Sequence, residues 1–244
     1  RGGTATARAI APLLDQRHRG NSEGCTGIGG AIKKFHSPTW IVVAQIGLLY
    51  SAVFPFETIE TDFLEDEWGV SMDYVGWFTS LGTAFGLVAW AWGFCIKTRR
   101  GLLRCSFVGW ATILLAFLML MLRDPSRQGV AVLAIGLFGI SYSFLSTTLW
   151  ILLPGTLPEG DEGYNEGAVS MSYVSMSLGM LLSNFMAGAL HDLIGYGATM
   201  TWFAMLAVIG LVSMRELWAG FPISASSSDA SGGLHAGAAD SAPP

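Results

Sequence analysis

The chain has 244 residues, of which 52% are hydrophobic and 13% are charged, and its mean hydropathy is +0.50. Soluble domains carry about 25% charged residues, so this composition excludes an ordinary soluble protein, and the high apolar content excludes an intrinsically disordered one. The net charge is −5, and the 31 glycines follow no collagen period, which excludes a collagen. A polytopic membrane protein remains, in which the glycines pack helices together.

Residues 1–38 are polar, glycine-rich and basic, and they predict a cytosolic linker ahead of the first membrane span. The chain begins with Arg1 and no signal peptide precedes its apolar segments, so we expect a fragment or processed product of a longer protein. Its three cysteines have no metal-binding or disulfide spacing, and no P-loop or zinc-protease motif occurs. We therefore expect no enzyme activity, no metal, no cofactor and no nucleic-acid partner.

Six apolar stretches follow, each 19 to 26 residues long, which is enough to cross a hydrocarbon core of about 30 Å. They are residues 39–57, 74–96, 102–122, 129–154, 167–190 and 196–216. Charged residues occur only near their margins. The sequence therefore predicts an all-α protein embedded in the lipid bilayer, with a six-helix bundle over 39–217 and a disordered cytosolic tail over 218–244.

The basic residues orient these spans, because loops rich in lysine and arginine stay on the cytosolic side. Eleven lysines and arginines fall on the side that holds both chain ends, and only Arg123 and Arg127 fall on the other. We therefore expect both ends in the cytosol. The acidic segment at 57–73 then lies on the external or lumenal side.

The first three spans superimpose on the last three when the chain is shifted by 92 residues. One short motif recurs at the same shift: Gly47-x-x-Tyr50-Ser51 and Gly139-x-x-Tyr142-Ser143. The two units are 39–122 and 129–217, and because each has an odd number of spans, the second is inverted relative to the first. Such a 3+3 inverted repeat is the organisation of one half of a major facilitator transporter.

Three segments carry a resemblance to a known family: Tyr50-Ser-Ala-Val-Phe-Pro-Phe56, Gly139-Ile-Ser-Tyr-Ser-Phe-Leu-Ser-Thr-Thr-Leu-Trp150 with the following Leu153-Pro154 and Pro158-Glu159, and Ala187-Gly188-Ala-Leu-His-Asp192-Leu-Ile-Gly195-Tyr196. With these segments the chain resembles the C-terminal six-helix half of a major facilitator superfamily transporter. The first two resemble the lysosomal dipeptide uniporter group.

This resemblance implies transport of a small organic solute, such as a dipeptide, by alternating access. It also implies a partner, an N-terminal six-helix half that lies upstream in the same chain or in a second subunit. A lysosomal or other internal membrane is the implied location, with the plasma membrane as the alternative.

The loop between the second and third spans departs from the family's pattern, G-x-x-x-D-[RK]-x-G-[RK]. It reads Gly93-Phe-Cys-Ile-Lys97-Thr-Arg99-Arg100-Gly101, with Lys97 where the acidic residue is expected. The departure keeps a second interpretation open, in which a truncated carrier serves as a non-transporting structural or accessory subunit of a membrane complex.

A transporter needs a polar site near the middle of the membrane, and polar or small residues at helical spacing on the fourth and fifth spans offer one. The candidate substrate contacts are Tyr50, Phe54, Tyr142, Ser146, Trp150 and Ser175. The candidate hinges are Pro55, Gly139 and Gly179. The alternative for the serines and glycines is helix packing, and for the aromatic residues it is a position in the interfacial belt.

Two acids, Glu57 and Glu60, stand at the end of the first span. An acid at membrane depth is typical of proton coupling or of pairing with a solute amine, and this makes Glu57 the candidate proton-coupling residue. The alternative, which the length of the span favours, is that the helix ends near residue 57 and that Glu57 begins the acidic loop.

Overall fold

The computed structural model describes residues 32–33, 35–86, 96, 98–157 and 162–220. Within these ranges the chain forms helices joined by short turns, and five helices are long and apolar enough to cross a membrane. Most of the predicted linker, the end of the second span, Lys97 and nearly all of the predicted tail lie outside the described residues.

In chain order the helices are α1 (Ser37–Trp68), α2 (Met72–Gly86), α3 (Arg99–Leu120), α4 (Gln128–Leu152), α5 (Glu162–Ile194) and α6 (Tyr196–Gly220). Two short 3-10 turns, Pro125–Arg127 and Pro154–Thr156, stand before and after α4. The five membrane-length helices are α1 and α3 to α6, whereas the described part of α2 has 15 residues. The all-helical membrane architecture is thus confirmed over the described residues.

The first helix does not end near Glu57, so the expectation that Glu57 begins a loop is wrong. Instead α1 continues to Trp68, because the acidic segment carries an apolar stripe at helical spacing. The fully buried members of that stripe are Phe56, Phe63, Leu64 and Trp68. The helix ends at Gly69, whose left-handed backbone (φ +61°) lets its N–H bond to the carbonyl of Glu65 at 3.1 Å.

Contacts with neighbouring segments hold the acidic end of α1 in place. The guanidinium of Arg123 lies 3.4 Å from the carboxylate of Glu67, and the hydroxyl of Tyr196 donates to Asp66 at 3.3 Å. The ring of Tyr196 also packs edge-on against Phe63, with centroids 5.4 Å apart. This end of α1 is therefore joined to the loop before α4 and to the start of α6.

Helix α1 lies at the centre of the described bundle, where it contacts α2, α4, α5 and α6. Helix α3 packs on α4 and α6, and α2 packs mainly on α4. Four phenylalanines with centroid distances of 5.0–6.1 Å fill the space between α1, α3, α4 and α6: Phe56, Phe117, Phe138 and Phe203. We call these four residues the phenylalanine core.

A buried glutamine crosses the same side of the bundle. The amide of Gln45 on α1 donates to the carbonyl of Gly210 on α6 at 2.8 Å and accepts from the indole N–H of Trp110 on α3. Because Gln45 and Trp110 are both fully buried, these hydrogen bonds satisfy groups that would otherwise lose water without compensation.

Candidate solute-binding site

Two glycines let the central helices approach their neighbours closely. A Cβ atom on Gly47 of α1 would lie 3.1 Å from the carbonyl oxygen of Ser175 on α5. A Cβ atom on Gly139 of α4 would lie 2.5 Å from the carbonyl oxygen of Gly82 on α2. Any side chain at either position would therefore push two helix backbones apart.

The serine of each repeated motif turns back onto its own helix. Ser51 donates to the carbonyl of Gly47 at 2.6 Å, and Ser143 donates to the carbonyl of Gly139 at 2.9 Å. These i to i−4 bonds keep both hydroxyls satisfied without a ligand. The two motifs that match in sequence thus adopt the same local structure.

Two of the predicted site residues, Ser175 and Gly179, lie in the contact between α1 and α5. Ser175 faces Gly47, and a Cβ atom on Gly179 would lie 2.9 Å from the carbonyl oxygen of Gly47. Both positions serve close helix packing, which is the alternative that the sequence left open for them.

The tyrosines of the two motifs face each other at the junction of α1 and α4. The ring centroids of Tyr50 and Tyr142 are 6.2 Å apart and the rings meet edge-on. Phe54 stacks on Tyr50 at 5.4 Å, and the indole N–H of Trp150 lies 3.5 Å from the Tyr50 hydroxyl. Four predicted substrate contacts, Tyr50, Phe54, Tyr142 and Trp150, therefore form one group, the tyrosine cluster.

A cavity of about 510 Å³ opens beside the tyrosine cluster, between α1, α2 and α4. Its lining residues are Phe54, Glu57, Glu60, Thr61, Thr79, Ser80, Gly82, Thr83, Ile135, Phe138, Gly139 and Tyr142. The volume falls within the range of about 300–1,000 Å³ that is usual for small-molecule sites. We call this space the acidic cavity.

The two carboxylates of the acidic cavity differ in their surroundings. Glu57 is exposed, whereas Glu60, one turn later, is only 5% exposed. The Oε1 atom of Glu60 is enclosed and has no hydrogen-bond partner. Within the described part of the chain, none of the residues that line the cavity is lysine, arginine or histidine. When its acids are ionised, the cavity therefore carries a negative charge that no basic lining residue compensates.

The remaining predicted site residues occupy different positions. Gly139 lies both at the α2–α4 contact and in the cavity wall. Pro55 is buried inside α1, which continues through it without ending. Ser146 is half-buried on α4 and is not among the residues that line the cavity.

Helix α2 contributes a hydroxyl-bearing wall that the sequence did not predict. Thr79, Ser80 and Thr83 line the acidic cavity, although Thr79 and Ser80 each also bond to the carbonyl of Gly76. The sequence did offer a signal for this wall. Ser80 and Thr83 follow Thr79 by one and four residues in an apolar span, and this spacing places three hydroxyls close together on one side of the helix.

No protein-family model matches the chain. In sequence it is similar to the lysosomal dipeptide transporter MFSD1 of Homo sapiens, Bos taurus and Pongo abelii, with 25% identity over 199 residues in each case. The matches cover 77% of this chain and 39% of each relative. The chain thus spans well under half the length of the curated relatives it matches.

In structure the chain is similar to a bacterial homologue of the iron transporter ferroportin in its outward-facing state, with a TM-score of 0.61, 18% identity, and coverage of 75% of this chain and 46% of that one. It is also similar to the POT family transporter PepTSo, with a TM-score of 0.61, 14% identity, and coverage of 77% and 38%. The predicted resemblance is confirmed: the chain is an integral membrane protein that shares the fold of major facilitator transporters and has homologues among them.

Proposed function

We propose that this chain is one half of a transporter that moves a small organic solute across a membrane by alternating access. The observation that carries the proposal is the juxtaposition of the tyrosine cluster and the acidic cavity where α1, α2 and α4 meet. The sequence similarity to lysosomal dipeptide transporters supports dipeptides as the solute class and a lysosomal or other internal membrane as the location.

The pairwise packing of the helices supports an inverted 3+3 repeat. Helix α1 packs on α5 as α4 packs on α2, and α3 packs on α4 as α6 packs on α1. In each of the two equivalent pairs, a glycine of the repeated motif lies at the closest contact: Gly47 between α1 and α5, and Gly139 between α4 and α2. In such transporters the solute site lies near the membrane midplane at the repeat interface, and the contact between Tyr50 of the first unit and Tyr142 of the second supports a site at that interface.

The site offers three kinds of contact to a solute of dipeptide size. The rings of Phe54 and Tyr142 supply apolar faces to the cavity, and the hydroxyls of Tyr142 and of α2 supply hydrogen bonds. Tyr50 and Trp150 lie beside the cavity, in the tyrosine cluster. The two acids supply negative charge. Such a mixture of an apolar wall with a few placed polar groups is typical of small-molecule sites. We propose Pro55, Gly139 and Gly179 as the positions at which the helices bend between states.

The proposed partner is a second six-helix half, upstream in the same chain or in another subunit. One side of α5 exposes large apolar residues that are each at least 53% exposed, among them Tyr173, Val174, Leu178, Leu181, Leu182 and Phe185. A contiguous apolar face of this kind needs lipid or protein cover. The relatives' greater length is consistent with a further half.

Uptake by the full-length protein in proteoliposomes tests the function. Labelled dipeptides, sugars and organic anions are supplied outside, and we expect saturable uptake of dipeptides. Trp150→Ala and Tyr142→Ala should each lower that uptake at least tenfold, whereas Phe107→Ala, which removes an exposed ring on α3, should leave it unchanged. Absence of flux for every solute class would favour the structural or accessory role.

The proposed proton coupling by Glu57 has its own test. Glu57→Gln removes the titratable group from the cavity wall, so the pH dependence of uptake should disappear while uptake at the optimal pH persists. An unchanged pH profile would rule out this role for Glu57.

A further inference from the structure

We propose that the acidic cavity is a subsite for a protonated amine, and that the carboxylate of Glu60 pairs with the ammonium group. The proposal rests on the proposed transport function and specifies the chemistry of one end of the solute. It gives Glu60 the binding role, distinct from the proton-coupling role proposed for Glu57.

Glu60 is the acid at this end of α1 that is both buried and without a hydrogen-bond partner. Its residue is 5% exposed, and its enclosed Oε1 has no hydrogen bond. Of the acids further along the helix, Glu67 faces Arg123 and Asp66 accepts from Tyr196, whereas Asp62 and Glu65 are exposed to solvent. A buried carboxylate without a partner is strongly destabilising. Glu60 lines a cavity, where a bound cation can pair with its carboxylate.

The charge of the cavity selects a positive group. Glu57 and Glu60 are three residues apart on α1 and both line the space, and like charges at this spacing repel each other. With no lysine, arginine or histidine among the described lining residues, a cation between the two acids relieves both the repulsion and the burial cost.

The rest of the wall fits an organic ammonium better than a bare metal ion. The rings of Phe54 and Tyr142 border the space, and aromatic faces attract ammonium groups through cation–π contacts. Among the described residues, no group of three or more His, Cys, Asp or Glu could hold a metal ion. A cavity of about 510 Å³ also leaves room for the carbon skeleton that carries the amine.

Ligand-induced stabilisation of the full-length protein in detergent tests the amine preference directly. The probes are 2-phenylethylammonium chloride, its N-acetyl derivative and sodium chloride, compared at constant ionic strength by thermal unfolding. We expect only the ammonium compound to raise the unfolding temperature. Glu60→Gln should weaken its apparent affinity at least tenfold, whereas Glu65→Gln, which neutralises an exposed acid outside the cavity, should leave the affinity unchanged.

Each other outcome overturns the inference. Equal stabilisation by the amine and its acetylated form, or an affinity unaffected by Glu60→Gln, would remove Glu60 as the ammonium partner. Stabilisation by sodium alone, lost in Glu60→Gln, would assign an inorganic cation instead. If Glu60→Gln does not fold, Glu60→Asp retains the charge with a shorter reach and should keep the preference for the free amine at reduced affinity; loss of that preference in Glu60→Asp would count against the inference.

A transport measurement separates this inference from the proposed function. Uptake of Ala-Phe is compared with uptake of N-acetyl-Ala-Phe, and we expect at least a tenfold preference for the free amine that Glu60→Gln abolishes. Equal uptake of both peptides would contradict the ammonium subsite and leave the transport function standing. Amine binding without uptake of any peptide would contradict dipeptide transport and leave the subsite standing.

Discussion

Two buried polar side chains of α1, Gln45 and Glu60, have opposite surroundings. On the side of the phenylalanine core, Gln45 is fully buried and bonds to both α3 and α6. On the side of the acidic cavity, Glu60 is almost as deeply buried and has an oxygen without a partner. Because most buried polar groups in native proteins are hydrogen-bonded, the first side is built for stability and the second retains an unmet requirement that a ligand can fill.

The largest expected difference between the sides concerns aromatic packing. Phe117→Ala removes a fully buried ring that contacts three other phenylalanines, and it should lower the free energy of unfolding by about 3–5 kcal/mol. Phe54→Ala removes a ring of the tyrosine cluster that is 38% exposed, and it should cost less than about 1.5 kcal/mol. Denaturant unfolding in mild detergent measures the free energy of unfolding of both variants. Equal decreases for the two would contradict the difference between the phenylalanine core and the tyrosine cluster.

The two buried polar groups should respond to substitution with opposite sign. Gln45→Leu leaves the indole N–H of Trp110 without its acceptor, which should cost about 1–3 kcal/mol. Glu60→Gln removes an unpaired buried carboxylate and should leave the free energy of unfolding unchanged or raise it. A destabilised Glu60→Gln protein, measured without added amine, would mean that Glu60 has a structural partner and that the comparison fails.

A smaller effect distinguishes the helix contact beside the cavity from an open position. Gly139→Ala places a methyl group 2.5 Å from the Gly82 carbonyl oxygen, and the resulting overpacking should cost about 1–2 kcal/mol and lower solute uptake. Gly188→Ala on α5 meets no atom within 4 Å and should stabilise the helix by up to about 1 kcal/mol. If Gly139→Ala raised the free energy of unfolding as Gly188→Ala is expected to, α2 and α4 would have room to move apart at Gly139.

Hydropathy and charge carried most of what the sequence revealed about the fold. The apolar stretches predicted the membrane helices, because long runs without charge have few other stable environments. The end of α1 could not be predicted in this way. The length of an apolar span ends at the first acidic residues, but α1 continues because Phe63, Leu64 and Trp68, which lie between the acids, are buried. An amphipathic helix outside a uniformly apolar span is detected from the helical spacing of its apolar residues, not from its mean hydropathy.

Part of the candidate site was also visible in the sequence. Tyr142 and Trp150 were candidates because each offers a ring and a hydrogen-bond donor, and Tyr50 and Phe54 because they lie beside Pro55 in the first span. The structure brings the four together. The spacing of the hydroxyls on α2 was visible in the sequence but did not by itself identify a cavity wall, because threonine and serine in an apolar helix bond to their own backbone as readily as to a ligand. Only the packing of α2 on α4 reveals which of its hydroxyls face a cavity.

The smallest expected effect comes from Asp124 in the loop before α4. This loop belongs neither to the phenylalanine core nor to the acidic cavity. Asp124 accepts from the hydroxyl and the backbone N–H of Ser126 at 2.6 and 3.0 Å, and these bonds, with a smaller contribution from Arg127, hold the pKa of its carboxyl below the ordinary value. Because the folded pKa lies below the unfolded value of about 3.9, the ionised carboxylate stabilises the fold above pH 4, and this contribution disappears as the pH falls through the lowered pKa. Asp124→Asn should therefore lower the unfolding temperature slightly and equally from pH 5 to pH 8, and the difference from the wild type should shrink below pH 4. A difference that stayed constant down to pH 3 would show that the charge of Asp124 contributes nothing, and that the loop is held by hydrogen bonds which asparagine does not reproduce.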